Sequence, residues 1–202
     1  MKKQVVVIHG GDPWRPYRAY IAELKREKAE ADDFISSLGW KETLGKRLGS
    51  DFEVFNPRMP LKENALYADW RIWFEKLVPF LHDGVVLVGH SLGGIFLAKY
   101  LSENDFPKKI KALMLIAAPF IIRLKGDRNR NGGFGLEKDI SRISRQVENV
   151  YLYHSTDDPI VDFRDMAKYA KALPGAVEKT LIGRKHIWQE EFPEIVSDIR
   201  NI

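Results

Sequence analysis

A serine flanked by glycines stands where a run of apolar residues ends. Val85–Val88 is followed directly by Gly-His-Ser-Leu-Gly-Gly at residues 89–94, and a helical pattern begins at Leu92. A Gly-x-Ser-x-Gly between a buried strand and a helix is typical of a nucleophile elbow, the sharp turn that exposes a serine hydroxyl. The glycines leave room for such a turn, and the helix amino terminus favours negative charge beside it. The spacing predicts that Ser91 is a nucleophile; the alternative is a tight turn with an incidental serine.

A nucleophilic serine needs a base, and the base needs a carboxylate that orients it. Two histidines follow Ser91 in the chain. His154 ends a predicted strand, whereas His186 lies in the loop between the last predicted strand and the last predicted helix. A loop at the carboxyl edge of a sheet can reach over the serine. We therefore expect His186 to be the base and His154 to be a packed or partly exposed side chain.

Two adjacent aspartates compete for the role of the carboxylate. Asp157 and Asp158 both follow the predicted strand Val150–Tyr153. Pro159 and the apolar pair behind it would fix the loop and bury Asp158 against the edge of the sheet. Asp157 could instead stabilise the turn by accepting hydrogen bonds from nearby backbone amides. The sequence favours Asp158 and keeps Asp157 as the alternative.

The transition state of acyl transfer also needs two N–H donors for its oxyanion. The backbone N–H of Leu92, the residue after the serine, is the first expected donor. The second should come from the loop after the first strand, where Gly11 and Asp12 are the candidates and Gly11 is preferred. His9 and His90 are expected to support the site without acting as its base. Further candidates for contact with substrate are Asp12, His90, Phe120 and Phe134.

Short β-branched runs alternate with longer helical patterns along the chain, as in a parallel sheet with crossover helices. Six runs predict strands: Val5–Ile8, Phe52–Phe55, Val85–Val88, Ala112–Ala117, Val150–Tyr153 and Val177–Leu181. Helical patterns cover residues 17–48, with a break near Gly39 that makes two helices, and residues 65–81, 92–101, 162–173 and 193–199. The sequence therefore predicts an α/β fold with a six-stranded, mainly parallel sheet and helices on both faces.

A single domain is predicted over residues 1–202. The length suits one substantial core, and no stretch is rich enough in Pro, Gly or Ser to divide the chain. Residues 120–136 are the exception to regular patterning, because they lack periodicity and contain many turn-forming residues. A loop of this length in a compact domain is usually a lid or a disordered segment. We expect it to be a mobile lid over Ser91, with any other cap small or absent.

Composition argues against several classes of protein. No apolar run reaches the roughly 20 residues needed to cross a bilayer, and the apolar run at the amino terminus is too short for a signal peptide. The net charge is +4, but lysines and arginines are interleaved with acids, which argues against a nucleic-acid partner. There are no cysteines, which is compatible with a reducing compartment. We expect a cytoplasmic protein without cofactor or metal, whose partner is a small-molecule acyl ester; the oligomeric state stays open.

Taken together, the motifs resemble the α/β-hydrolase superfamily. They are most similar to its small members of the type of retinoblastoma-binding protein 9 and the bacterial YdeN-like serine hydrolases. The resemblance covers most of the chain and rests on His9–Gly11, Gly89–Gly94, Ser155–Pro159 and His186. It implies a carboxylic-ester or amide hydrolase with Ser91, Asp158 and His186 as its catalytic triad. It also implies a core sheet without the first two strands of larger relatives.

The leading functional hypothesis is a serine hydrolase that cleaves small to medium acyl esters through a Ser-Asp-His triad and an acyl-enzyme intermediate. A peptidase or an acyltransferase could use the same three residues. The alternative from another class is a protein-binding module with vestigial activity, which would keep the fold but function by binding its partners and not by catalysis. Labelling by a fluorophosphonate probe separates an enzyme from a binding module, because the probe needs an activated serine.

Overall fold

Six parallel strands form the central sheet. A computed structural model of the chain describes residues 1–35, 38–122, 131–137 and 139–202. The strands are β1 (Lys3–Ile8), β2 (Phe52–Phe55), β3 (Val85–His90), β4 (Ile110–Ile116), β5 (Val147–Ser155) and β6 (Val177–Leu181). Their order is β2-β1-β3-β4-β5-β6, and every neighbouring pair is parallel. The predicted single-domain α/β fold with a six-stranded sheet is confirmed.

Seven α-helices lie in the described residues. They are α1 (Tyr17–Leu24), α2 (Trp40–Leu48), α3 (Tyr67–Leu77), α4 (Leu92–Glu103), α5 (Arg142–Gln146), α6 (Arg164–Ala172) and α7 (Pro193–Arg200). Short 3₁₀ turns cover Ala31–Phe34, Lys62–Asn64 and Val78–Phe80. None of the helices in this part of the chain is long and apolar enough to span a membrane.

The helical prediction over residues 17–48 was wrong in its extent. Helix α1 ends at Leu24, and the described residues between it and Trp40 contain one short 3₁₀ turn. No residue of α1 is buried, so no packing stabilises a longer helix there. Helix α5 was not predicted, because a helix of five residues is too short to produce a recognisable helical pattern of apolar residues.

The strand side chains alternate between two cores. In β1, Val6 and Ile8 face one apolar cluster, and Val5 and Val7 face the other. Helices α3, α4 and α6 cover the first cluster, and α2 and α7 cover the second. Because both faces are covered, β1, β3 and β4 each contain a run of buried apolar residues instead of an alternation of apolar and polar ones.

The carboxyl ends of all six strands lie at one edge of the sheet. Strand β3 ends at His90 and leads directly into Ser91, whereas β5 ends at Ser155 and β6 at Leu181. Strand β4 lies between β3 and β5 in the sheet. The loops after β1, β3, β5 and β6, which carry most of the predicted site residues, therefore meet at this edge.

The loop predicted to be a lid is described only in part. Residues 123–130 lie outside the described residues. Beyond them, the chain is attached to α3 and α4: the Tyr67 amide donates to the carbonyl of Gly132 at 2.8 Å, and Lys99 Nζ donates to that of Gly135 at 2.9 Å. The side chain of Phe134 is fully buried between these anchors. Residues 131–135 are thus part of the packed structure.

Candidate active site

Ser91 occupies a strained turn between β3 and α4. Its backbone has φ 53° and ψ −120°, in the positive-φ half of the map that residues with a Cβ rarely adopt. The Ser91 amide donates to the carbonyl of Ile116 at 2.8 Å, which ties the turn to β4. A Cβ at Gly89 would lie 2.5 Å from the carbonyl oxygen of Gly93, and one at Gly93 would collide with the carbonyl of Ile8. The turn therefore requires both glycines.

The two backbone amides predicted to bind an oxyanion have no hydrogen-bond partner among the described residues. Leu92 begins α4, and its N–H forms no hydrogen bond within the described residues. The N–H of Gly11 is likewise unpaired there, whereas the Asp12 amide donates to the carbonyl of Lys62 at 2.7 Å. Of the two candidates in this loop, Gly11 is the available donor. A Cβ at Gly11 would collide with the Lys62 carbonyl, so packing of the loop also requires glycine at this position.

Four donors surround the carboxylate of Asp158, whose side chain is fully buried. His186 Nδ1 lies 2.8 Å from Oδ2, and His154 Nε2 lies 3.2 Å from the same oxygen. The amides of Ile160 and Val161 donate to Oδ1 at 2.8 and 3.0 Å. Burial alone would raise the pKa of Asp158, but these side-chain and backbone hydrogen bonds outweigh it and hold the pKa well below its usual range. Asp158 is therefore ionised at neutral pH.

Asp157, the alternative carboxylate, connects two loops instead. It accepts hydrogen bonds from the Ser155 hydroxyl and, at 3.2 Å, from the amide of Lys185. The Ser155 hydroxyl in turn accepts one from the amide of Arg184 at 3.1 Å. These contacts connect the loop after β5, which carries the predicted acid, to the loop after β6, which carries the predicted base.

The loop after β6 presents His186 in an unusual backbone conformation. Its neighbours Lys185 and Ile187 both have positive φ, 49° and 56°. Two contacts hold the loop in place: Trp40 Nε1 donates to the carbonyl of Ile187 at 2.9 Å, and His90 Nε2 donates to that of His186 at 2.8 Å. The position of the predicted base thus depends on α2 and on the last residue of β3.

The His186 ring lies beside the residue that precedes the serine. Its centroid is 5.0 Å from that of His90, and Ser91 follows His90 directly. Because Nδ1 donates to Asp158, the neutral ring has its unprotonated nitrogen at Nε2. Within the described residues, neither this nitrogen nor the Ser91 hydroxyl forms a hydrogen bond. In unliganded enzymes such bonds are often long and tighten when substrate binds.

His9 and His90 form hydrogen bonds with the loops around the predicted site. Nδ1 of His9 donates to the carbonyl of Gly10 at 2.6 Å, and Nε2 accepts the Met59 amide at 2.9 Å. This pattern requires a neutral ring with the proton on Nδ1. Burial is the main cause that lowers the pKa of His9, and it lowers the pKa of His90 further, well below 6.5. Both rings are neutral at physiological pH and unsuited to act as cations.

A cavity of about 300 Å³ opens beside Ser91. Its apolar lining includes Pro13, Pro119, Ile121, Ile122, Ile160 and Val161. Asp12 also lines it, as predicted for a residue near substrate, and burial raises the pKa of its carboxyl group. A largely apolar cavity with a few polar groups is typical of a small-molecule site.

The structure does not bring His90, Phe120 or Phe134 to this cavity, although all three were candidates for contact with substrate. Phe134 packs edge-on against Trp70, with ring centroids 5.3 Å apart, and belongs to the core. Phe120 packs against Tyr169, with centroids 4.9 Å apart. The neighbours of Phe120 in the chain, Pro119 and Ile121, line the cavity instead.

Two buried polar residues of the site were missed by the sequence reasoning. His154 was expected to be packed or partly exposed and is packed, but its contact with Asp158 was not anticipated; the only signal was that the two residues lie four positions apart at the end of β5. Asp165 accepts the amides of Phe120 and Ile121 at 2.9 and 3.5 Å and thereby holds the cavity wall. Nothing in the sequence distinguished Asp165 from an ordinary solvated carboxylate in the first turn of a helix.

Comparisons with known proteins found a matching family model, similar sequences and similar structures. A family model described as "Serine hydrolase" matches residues 36–191. The chain is 24% identical over 174 residues to the serine hydrolase RBBP9 of Rattus norvegicus, covering 83% of this chain and 88% of that protein. It is 25% identical over 203 residues to the putative hydrolase YdeN of Bacillus subtilis (strain 168), covering 96% and 92%. The crystal structure of the ydeN gene product from B. subtilis superposes with a TM-score of 0.76 at 20% identity, covering 99% and 98% of the two chains.

Proposed function

This chain belongs to the serine hydrolase family, and on that premise we propose that it cleaves carboxylic esters of small to medium acyl groups through Ser91, Asp158 and His186. One observation carries the proposal. His186 Nδ1 lies 2.8 Å from Oδ2 of the buried Asp158, at the sheet edge where Ser91 occupies its strained turn. A serine at such a turn, a histidine and a buried aspartate are the groups that nucleophilic acyl transfer uses.

In the proposed acylation step, Ser91 Oγ attacks the ester carbonyl carbon and gives its proton to Nε2 of His186. The negative charge of Asp158 stabilises the imidazolium that forms, without taking the proton. The depressed pKa of Asp158 supports this role, because a carboxyl group that is hard to protonate keeps its charge throughout the cycle. His186 then passes the proton to the departing alcohol, which leaves an acyl ester on Ser91.

In the proposed site the tetrahedral intermediate places its oxyanion between the N–H groups of Leu92 and Gly11. Neither amide has a hydrogen-bond partner within the described residues, so neither loses a bond when an oxyanion binds. Each such donor typically contributes about 2.7–4 kcal/mol to stabilisation of the transition state. Water then attacks the acyl-enzyme with His186 as the base, which releases the acid and restores Ser91.

The apolar cavity supports an ester with a short or medium acyl chain as substrate. Its volume of about 300 Å³ lies at the low end of the range for small-molecule sites. We expect p-nitrophenyl acetate and butyrate to be hydrolysed with a higher kcat/KM than the dodecanoate. The reverse order would contradict the assignment of this cavity as the acyl site.

The test of the proposal is the variant Ser91→Ala, compared with wild type and with Ser144→Ala, in which an exposed serine of α5 is removed. We expect Ser91→Ala to lose ester hydrolysis and fluorophosphonate labelling while retaining its circular dichroism spectrum, and Ser144→Ala to keep both activities. Ester turnover by Ser91→Ala near the wild-type rate would refute the proposal. Labelling of wild type without ester turnover would point to a peptidase or acyltransferase, and the absence of labelling to a binding module.

A further inference from the structure

We propose that His154 is a positioning residue: a second histidine that binds the Asp158 carboxylate and sets how strongly this carboxylate acts on His186. The proposal rests on the function proposed above. His154 lies near the end of β5, and its side chain is 1% exposed, so its ring is part of the protein interior. It does not line the cavity beside Ser91 and so is placed to act only through Asp158.

The surroundings of the His154 ring determine where its proton lies. Nε2 is 3.2 Å from Asp158 Oδ2 and 3.1 Å from the carbonyl oxygen of Val161. A carbonyl oxygen cannot donate, and an ionised carboxylate cannot either. Nε2 must therefore carry a proton: the Val161 carbonyl accepts it in a hydrogen bond, and the Asp158 carboxylate lies within reach of the same N–H.

Packing keeps this ring from turning away. The backbone of His154 pairs with Thr180 in the ladder between β5 and β6. Its ring contacts Phe163 edge-on, with centroids 5.7 Å apart. The hydrogen bond to Asp158 is thus made by a donor whose position the fold has already fixed, and little conformational entropy is lost in forming it.

The two histidines compete for the same carboxylate oxygen, because His154 and His186 both approach Oδ2 of Asp158. A hydrogen bond from His154 stabilises the negative charge and so weakens its attraction for a proton on His186. The same bond holds the carboxylate plane at the angle that His186 needs. Ionisable groups near this cluster include His90, Lys41, Asp157, Arg184 and Lys185, and none of them is altered in the variants below.

The experiment compares His154→Phe with His154→Gln. Phenylalanine keeps a flat ring against Phe163 but has no N–H, whereas the amide nitrogen of glutamine can reach the position of Nε2. For His154→Phe we expect kcat/KM at neutral pH to fall about tenfold, the rate equivalent of one hydrogen bond to a charged group. We also expect the acid limb of its pH profile to move up by about one pH unit, because the carboxylate then favours imidazolium more strongly. His154→Gln should restore both values most of the way.

A residue that served only for packing would give a different result. An acid limb of His154→Phe at the wild-type pH, with kcat/KM lowered equally in both variants, would overturn the proposal. Should His154→Phe fail to fold, ¹⁵N NMR of histidine-labelled wild-type protein decides: Nε2 of His154 must be protonated, and an unprotonated Nε2 overturns the proposal. The NMR measurement does not depend on turnover and so tests the His154 assignment by itself. The proposed hydrolase function is tested separately by Ser91→Ala.

Discussion

At the scale of single residues, the contacts of the two neighbouring aspartates differ in kind. Asp158 is buried and receives its hydrogen bonds from two histidine rings and two amides. Asp157 is bonded to Ser155 and to the amide of Lys185. The hydrogen bond from the Ser155 hydroxyl is the main cause that lowers the pKa of Asp157. One carboxylate is therefore available to a histidine, and the other is used to join loops.

Amide substitution of each aspartate tests this division. We expect Asp158→Asn to lower kcat for p-nitrophenyl acetate by about 10³- to 10⁴-fold, because an amide cannot hold His186 in the tautomer that accepts a proton from serine. Asp157→Asn keeps an oxygen that can accept from Lys185 and should lower kcat less than tenfold. Steady-state kinetics on both variants measure the two effects. A larger loss for Asp157→Asn would show that the roles are reversed.

The preference for Asp158 over Asp157 could be predicted from Pro159 and the apolar residues after it, which are close to Asp158 in the sequence. It could not anticipate that Trp40 and His90 hold the loop of His186, because these contacts join residues 147 and 96 positions apart in the chain. The same limit applies to Gly11: the carbonyl of Lys62 that excludes a side chain there comes from a distant segment. Long-range contacts between polar groups leave no periodic signal in a sequence.

At the scale of secondary-structure elements, the strands were predictable and the first helical region was not. Most of the strands contain an apolar or β-branched run, so the centres of all six were predicted correctly; the bounds of β2 and β6 match the prediction, and only the ends of the other four differ. Residues 17–48 are rich in alanine and charge, which favours helix by composition. Composition alone does not stabilise a long helix in water, and α1 buries no side chain that could add to it.

The wall of the cavity beside Ser91 depends on a buried carboxylate at the start of α6. Asp165 is 2% exposed, accepts the amides of Phe120 and Ile121, and pairs with Lys168 at 2.5 Å. Removing an acceptor from two half-buried amides leaves them unpaired, which costs about 1–3 kcal/mol per group. The short segment after β4 would then lose its fixed position against the cavity.

The variant Asp165→Ala should therefore relax selectivity for acyl length. We expect its KM for p-nitrophenyl acetate to rise several-fold and the preference for acetate over dodecanoate to shrink, while fluorophosphonate labelling persists. Lys168→Gln is the matched control, since it removes the ion pair but keeps both bonds from the carboxylate to the loop. Asp165→Ala could instead be less stable but keep the wild-type ratio of kcat/KM for the acetate and the dodecanoate. That result would argue against this role for Asp165.

At the scale of the whole molecule, the sheet separates two apolar cores and presents the site at one of its edges. Each core is closed by helices, so ionisable groups between the sheet and α2 are removed from water. His90 is the clearest case: its ring is 2% exposed, contacts Trp40 edge-on and donates to the carbonyl of His186. Such a group contributes to stability only as long as it stays neutral.

The last prediction concerns the stability of the fold toward acid. The pKa of His90 in the folded protein is well below 6.5, chiefly because of burial and secondarily because Lys41 and His186 are nearby. Between that pKa and 6.5, the unfolded chain binds a proton at His90 that the folded chain does not. His90 therefore does not lower the free energy of unfolding above pH 6.5. Below pH 6.5, this residue lowers the free energy of unfolding by about 1.4 kcal/mol for each pH unit.

Urea denaturation at pH 8, 7, 6 and 5 measures this loss, and the variant His90→Gln assigns it. Glutamine has an amide nitrogen that can donate to the carbonyl of His186 but does not titrate, so the slope of stability against pH between pH 6 and 5 should decrease by about 1.4 kcal/mol per pH unit. His82→Gln, which replaces an exposed histidine, should leave the slope as in wild type. The half-buried His9 and, at lower pH, the hydrogen-bonded Asp158 contribute to acid sensitivity in all three proteins, since their pKa values are also depressed. If wild type and His90→Gln showed the same slope, the folded protein would bind a proton at His90 as readily as the unfolded chain does. The assignment of His90 as a neutral donor to the carbonyl of His186 would then be wrong.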